Sequence, residues 1–292
     1  MKQIQWFPGH MNKTKRLIGE QLNRIDIVIE ILDARIPQSS RNPLLEEITS
    51  SKPQLLILNK SDLADKELTS AWMTRFRNSG FYAATATSTE PKTVSGILKL
   101  ARKIVEEQKG GKTGKINVLI AGIPNVGKST IVNALRGRKK ASVQNKPGHT
   151  KDFQRIVVSN ELTLIDTPGI LWHKFEPAVG YRLAVLGSIK DSILDIYDIA
   201  SAAVRMTVAV CPERLKERFR LEQLPEKPEE VIEAIGRKRG LLMKGGVVDY
   251  DRACNIILRE IRDGKLGPVS FESPDSDDER FGSHIFDIVE PV

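Results

Sequence analysis

Two kinds of apolar pattern divide the chain. Up to about residue 170, apolar residues come in short, nearly unbroken runs at 27–32 (Ile-Val-Ile-Glu-Ile-Leu), 54–58, 81–86, 116–121, 155–159 and 162–165. Runs of this length predict strands, and continuous rather than alternating ones suit a parallel sheet covered on both faces. Between them, residues 11–24 read as a basic helix with Leu17, Ile18 and Leu22 on one face, and residues 66–78 also look helical. Residues 94–107 repeat apolar positions at Ile97, Leu98, Ala101, Ile104 and Val105, which is helical spacing. Six strands interleaved with helices predict an α/β fold with a mostly parallel six-stranded sheet. The stretch Lys109-Gly110-Gly111-Lys112-Thr113-Gly114-Lys115 reads as a linker or mobile join. Beyond about residue 176 the pattern turns helical, over 183–210 and 229–263, with breaks at Pro225, Pro228 and Gly245-Gly246. The expected organisation is a first domain over 1–175 that includes the N-terminal helix. A smaller, mainly α-helical C-terminal domain follows over 176–270, then an acidic, poorly ordered tail over 271–292.

Charge changes the picture in one respect. The formal net charge is +8, yet residues 271–292 hold seven acids against Arg280. That tail is therefore −6 and the preceding 270 residues are +14. A basic body favours a polyanionic partner, although a solvated basic surface explains the same charge. No apolar run reaches membrane-spanning length, and the start MKQIQWFPGHMNKTKR lacks the apolar core of a signal peptide, so the expected place is the cytoplasm, without a membrane partner. With only Cys211 and Cys254 and four scattered histidines, neither a disulfide framework nor a zinc site is expected.

The chemistry lies in motifs at strand ends. Gly122-Ile123-Pro124-Asn125-Val126-Gly127-Lys128-Ser129 fits G-x-x-x-x-G-K-[ST] directly after the 116–121 strand. The glycines of such a loop let backbone N–H groups turn inward onto phosphate oxygens. Lys128 brings positive charge to the outer phosphates, and the Ser129 hydroxyl is a magnesium ligand. Asn125, Val126, Gly127 and Thr130 complete the expected nucleotide contacts. Asp166-Thr167-Pro168-Gly169 ends another strand. There Asp166 can hold magnesium through water and the Gly169 N–H can sense the terminal phosphate, whereas alone the four residues would be an ordinary turn. Asn59-Lys60-Ser61-Asp62 follows the 54–58 strand. A buried carboxylate at Asp62 would accept from guanine N1–H and its 2-amino group, donors that adenine lacks. Lys60 would lay its stem along the base and Asn59 would brace the loop. Alone, this quartet could simply cap a helix. Within Thr85-Ala86-Thr87-Ser88, Thr87 and Ser88 can place a backbone N–H on the guanine oxygen. Thr150 of Pro147-Gly148-His149-Thr150 can reach the magnesium in a mobile switch.

Together these motifs resemble the five signatures of the translation-factor-like GTPases, but N-K-S-D and T-A-T-S precede the phosphate loop instead of following it. Such a circular permutation keeps the sheet and needs a join where residues 109–115 lie. The order, with Trp6-Phe7-Pro8-Gly9-His10-Met11, Asp33-Ala34-Arg35-Ile36-Pro37 and Arg41-Asn42-Pro43, is similar to the ribosome biogenesis GTPase A (YlqF-like) group of circularly permuted bacterial GTPases. The likeness extends to Ile235-Gly236-Arg237-Lys238-Arg239-Gly240 and Gly245-Gly246-Val247-Val248-Asp249-Tyr250, so it covers essentially the whole chain.

The resemblance implies a circularly permuted P-loop GTPase that binds GTP and GDP with magnesium. It implies a role in late maturation of the large (50S) ribosomal subunit, with the subunit precursor and its rRNA as partners and no DNA. The alternative is an RNA-binding assembly factor in which nucleotide is mainly structural. The position after D-x-x-G, where Ras-like proteins carry a water-orienting Gln, is Ile170. The resemblance points to His10 as the catalytic group in its place. On the alternative view, Trp6-Phe7-Pro8 is an apolar anchor with His10 merely adjacent, and His149 and His173 are rivals. Asn125 in the phosphate loop implies a potassium ion beside the phosphates, or else a loop-shaping role. In the helical region Arg214, Lys216, Arg218 and Arg220, with Arg237-Lys238-Arg239, offer phosphate contacts, while the interleaved glutamates allow a salt-bridged surface instead.

Overall fold

The structure is a computed structural model that describes residues 11–135, 154–169, 171–172 and 174–286. The described residues form two compact units, one up to Trp172 and one from Lys174 onward.

In the first unit the chain runs α1 (Met11–Leu22), β1 (Ile27–Asp33), α2 (Pro43–Thr49), β2 (Gln54–Asn59), α3 (Lys66–Asn78), β3 (Tyr82–Ala86), α4 (Pro91–Lys109), β4 (Ile116–Gly122), α5 (Lys128–Leu135), β5 (Gln154–Ser159) and β6 (Leu162–Asp166). The six strands form one sheet in the order β3-β2-β1-β4-β6-β5, with all neighbours parallel except the edge pair β5 and β6. Every residue of β1 and β2 is buried, as the unbroken apolar runs require. One cluster packs Leu32, Leu56 and Leu58 against Trp72 and Phe76 of α3. Another packs Val28, Leu119 and Ala121 against Ile18 of α1 and Leu45 of α2. The chain walks outward from β1 through β2 to β3, then returns over α4 to β4 on the other side of β1. The crevice at the carboxyl ends of β1 and β4 is therefore a topological switch point, where open α/β sheets take ligands.

The join after α4 differs from the mobile linker its glycines suggest. Arg102 donates to the carbonyls of Thr113 (3.2 Å) and Gly114 (3.4 Å), and Lys109 pairs with Asp26 at 2.7 Å. Tertiary bonds hold what composition alone would leave loose. The short helix α2, absent from the sequence reading, starts at Asn42, whose side chain accepts from Leu44 N at 3.0 Å. Beside it lies Glu30, an acid in the middle of β1. Glu30 is 1% exposed, accepts the Asn42 N–H at 2.8 Å and faces Arg41 Nε at 3.6 Å. Burial pushes the Glu30 carboxyl up to about 7, against the opposing pull of Arg41 and the Asn42 N–H.

The second unit is α6 (Pro177–Val185), α7 (Ile196–Val210), α8 (Pro212–Phe219), α9 (Pro228–Lys238) and α10 (Tyr250–Arg262). The helical stretch expected over 183–210 is split. Gly187 takes φ +76°, Arg262 Nη2 donates to the Ala184 carbonyl at 2.9 Å and closes α6, and Asp195 caps the start of α7. The break expected at Gly245-Gly246 is present as a turn bridging Leu242 and Val248, which separates α9 from α10. Residues 271–286 do not match a poorly ordered tail. Phe271, Phe281 and Phe286 are buried, Tyr181 stacks on Phe286 at 5.4 Å, and Arg182 donates to the Phe281 carbonyl. Acidic composition masked three apolar anchors, Phe271, Phe281 and Phe286. No helix among the described residues is long and apolar enough to cross a membrane.

Candidate nucleotide site at the strand ends

Parallel register brings the carboxyl ends of neighbouring strands level, pairing Asp33 with Asn59, Asn59 with Ala86, and Asp166 with Ile120 just before the phosphate loop. Motifs as far apart in sequence as Asn59 and Asp166 thus open from one edge of the sheet.

Asn59 is the knot between them. It is fully buried, its Nδ2 donates to the Val126 carbonyl of the phosphate loop at 2.7 Å, and its Oδ1 accepts the Ser88 N–H at 3.1 Å. One amide therefore ties the N-K-S-D turn, the T-A-T-S turn and the phosphate loop together. The fit is tight at Gly127, where φ is +92° and an added Cβ would stand 2.2 Å from Asn59 Nδ2. Ser61 Oγ donates to the Ala86 carbonyl at 3.0 Å and lies 3.3 Å from Thr87 Oγ1, a second tie between the same two turns.

The phosphate loop has the backbone its sequence calls for. Asn125 takes φ +64° and Val126 is buried. A Cβ on Gly122 would meet the Ile31 carbonyl at 2.7 Å, and one on Gly169 would meet Pro124 N at 3.2 Å, so D-T-P-G closes directly on the loop. Lys128 Nζ pairs with Asp166 Oδ1 at 2.5 Å, both side chains 5% exposed. Ser129 is exposed and Thr130 half-buried at the start of α5.

Asp62 departs from expectation. Its carboxylate is exposed rather than buried, because the short 3-10 turn Ser61–Leu63 holds it at the rim. What the sequence reading missed lies beneath that turn. Asp33 is 2% exposed and accepts from Arg35 Nε (2.9 Å) and Nη2 (2.8 Å) and from Lys60 Nζ (2.8 Å). Burial alone would raise the Asp33 carboxyl, but Arg35 and Lys60 outweigh it and hold the group far below the usual carboxylate range. Burial in turn lowers Lys60 from the ordinary lysine value, with Asp33 opposing. An acid ending a largely apolar strand, followed two residues on by a cation in Asp33-Ala34-Arg35, was the signal available in sequence. His10, His149, Thr150, Ile170 and His173 lie outside the described residues.

In the helical unit most of the basic residues singled out by sequence already have partners. Arg218 binds Glu260 through Nε (2.8 Å) and Nη2 (2.9 Å), and Arg239 reaches the same carboxylate at 3.2 Å. Arg214 donates to the Pro268 carbonyl, Lys216 pairs with Glu213, Arg237 with Glu233 and Lys238 with Glu222. Among the described residues, the exposed Arg220, and Arg252 and Arg259 on α10, have no such partner.

Comparison with known proteins agrees with this geometry. Residues 117–233 match a family described as 50S ribosome-binding GTPase. That match starts in β4 and so excludes Asn59 to Asp62, as a permuted order demands. The chain is 46% identical over 292 residues to the ribosome biogenesis GTPase A of Bacillus cereus, covering 98% of this chain and 97% of that protein. With the Thermotoga maritima protein of the same name it shares 34% identity over 273 residues, covering 93% and 95%. A crystal structure of GNP-bound YlqF from T. maritima superposes with a TM-score of 0.63 at 32% identity, over 90% of this chain and 99% of that one. A GDP-bound YlqF gives 0.60 at 31%, over 89% and 99%. Permuted motif order, sheet topology and full-length similarity converge, and the chain belongs to the ribosome biogenesis GTPase A family as a GTP-binding GTPase.

Proposed function

We propose that the protein hydrolyses GTP to GDP and phosphate and uses the nucleotide state to time its action in late maturation of the large ribosomal subunit. The observation that carries this reading is the Asn59 side chain, which joins the base-reading turn, the Ser88 turn and the phosphate loop into one pocket. The relatives named ribosome biogenesis GTPase A, and the family described as 50S ribosome-binding, support the ribosomal side.

In this reading the exposed Asp62 carboxylate receives guanine N1–H and its 2-amino group, and the base itself supplies the burial that strengthens both bonds. Thr87 offers its backbone N–H to the guanine oxygen; the Ser88 N–H, expected to share that task, is held by Asn59 Oδ1 and positions the turn instead. Backbone N–H groups over Asn125 to Thr130 hold the phosphates, and Lys128 exchanges Asp166 for phosphate oxygens. The freed, buried Asp166 carboxylate, lying against the first turn of α5, suits magnesium held through water, with Ser129 and Thr150 as direct ligands; potassium would sit at Asn125. The Gly169 N–H reports the terminal phosphate. An isoleucine at 170 has no group to orient water, so His10 is assigned that task. It would position the water that attacks the γ-phosphorus as the bond to the β-phosphate oxygen breaks. The partners are the large-subunit precursor and its rRNA, in the cytoplasm.

The test is binding to precursor particles with a non-hydrolysable GTP analogue, with GDP and with no nucleotide. Strong preference for the GTP-like state is expected. Equal binding in all three would leave the nucleotide a structural role and overturn the switch. His10→Ala is expected to slow hydrolysis while sparing nucleotide affinity; an unchanged rate would remove His10.

A further inference from the structure

We propose that Asp33 is a positioning residue for guanine recognition: by anchoring the Lys60 ammonium across the ends of β1 and β2, it holds the N-K-S-D turn in its base-reading shape. The inference rests on the reading that Asn59 to Asp62 receive the base.

Lys60 sits in a conformation that lysine disfavours, φ 58° and ψ 35°, immediately before the Asp62 turn. Something must hold it there, and the structure provides two ties. The Ala34 N–H donates to the Asn59 carbonyl at 2.8 Å, and Lys60 Nζ donates to Asp33 Oδ2 at 2.8 Å. Asp33 is itself immobile. It is bound bidentately by Arg35, its own N–H donates to Ser40 Oγ at 3.0 Å, and Ser40 donates onward to the Pro37 carbonyl at 3.1 Å. The Asp33–Arg35 pair is already complete in charge and geometry. The lysine is an addition that structural pairing does not need. Its effect is to fix the direction of a four-carbon stem that would otherwise sample many rotamers in solvent, leaving its apolar length available to one face of a planar base. Two cations on one carboxylate leave the cluster with an excess positive charge, and the Asp62 carboxylate two residues on acts favourably on Lys60. The charge that reads guanine and the charge that anchors the stem thus support each other through Lys60.

The test is a double-mutant cycle read by equilibrium affinity for fluorescent GDP and for a GTP analogue, with thermal midpoints recorded for every variant. Lys60→Met should weaken both nucleotides by about tenfold. Asp33→Asn should do the same in the natural background and add little in the Lys60→Met background. Asp33→Glu keeps the charge balance, and with it the fold, but moves the carboxylate by one methylene; it should give an intermediate loss that Lys60→Met again removes. Arg35→Met should lower the thermal midpoint with a smaller effect on affinity. If the losses at Asp33 and Lys60 simply add, or if the Asp33 variants that fold bind normally, Asp33 is only a structural ion and the proposal fails. If Lys60→Met binds normally and Asp62→Ala keeps its guanine preference, the base-reading assignment itself is what fails.

Discussion

In the α/β unit, buried charges stand at strand ends and face one another across a gap between motifs. In the helical unit, they lock one helix to another. Lys128 and Asp166, and Lys60 and Asp33, are pairs that each join two different motifs at the carboxyl ends of the strands. Glu260, by contrast, takes Arg218 from α8 and Arg239 at the end of α9, so both guanidinium groups are engaged within the unit. Counting cations in a sequence therefore says little about binding. What matters is whether a cation's partner is exchangeable, as on a loop that a ligand enters, or committed, as in a staple between helices.

Substitutions can break this contrast or sharpen it. The largest effect should come from Lys128→Ala, which removes the exchangeable cation of the phosphate site; nucleotide affinity in a fluorescent-GDP titration should fall at least about a hundredfold. Next, Asp62→Ala should reduce the preference for guanine over adenine nucleotides by roughly two orders of magnitude, measured by competition, because two charged hydrogen bonds are lost only with guanine. Stability should respond elsewhere. The folded Glu30 carboxyl, at about 7, lies above its unfolded value of 4.5, so its contribution favours folding below pH 4.5 and is lost as pH rises through 7. Glu30→Gln should flatten the pH dependence of unfolding in that window by about 3 kcal/mol, read from denaturant titrations at several pH values. Glu260→Ala should cost about 2 kcal/mol of stability, moderated by water reaching both arginines, and should leave GDP affinity unchanged. The smallest effects belong to the uncommitted cations. Arg252 and Arg259 lie two turns apart on α10, about 10 Å along one face. Replacing either with Gln should lower the salt slope of RNA binding by about one, whereas Arg218→Gln should alter stability more than that slope.

The legibility of the sequence differed in the same way between the two units. The inner strands β1, β2, β4 and β6 were readable because residues buried on both faces give unbroken apolar runs, whereas the edge strands β3 and β5 are partly exposed and were readable from short runs between turn residues. The phosphate loop was readable because its residue pattern is set within eight positions, Gly127 at φ +92° included, while the close approach of Gly122 to the Ile31 carbonyl is a tertiary reason for the same pattern. Asp62 is exposed where a buried carboxylate is expected, since burial there depends on what covers the turn. The split of 183–210 escaped notice because the Arg262 that closes α6 lies 77 residues beyond Val185. The acidic stretch after 270 was misjudged because average composition conceals three well-spaced phenylalanines.

Sequence by itself determined the layer architecture and the permuted order of the nucleotide motifs, since the first follows from apolar periodicity and the second from the order of short motifs along the chain. Only the tertiary structure decided which charges meet. The bond between Asn59 and Val126, the pairing of Lys60 with Asp33 and the capture of two arginines by Glu260 span 21 to 67 residues. Electrostatic and hydrogen-bond energies depend on distances of a few ångströms, and those are set by how strands and helices pack, not by how residues are spaced along the chain.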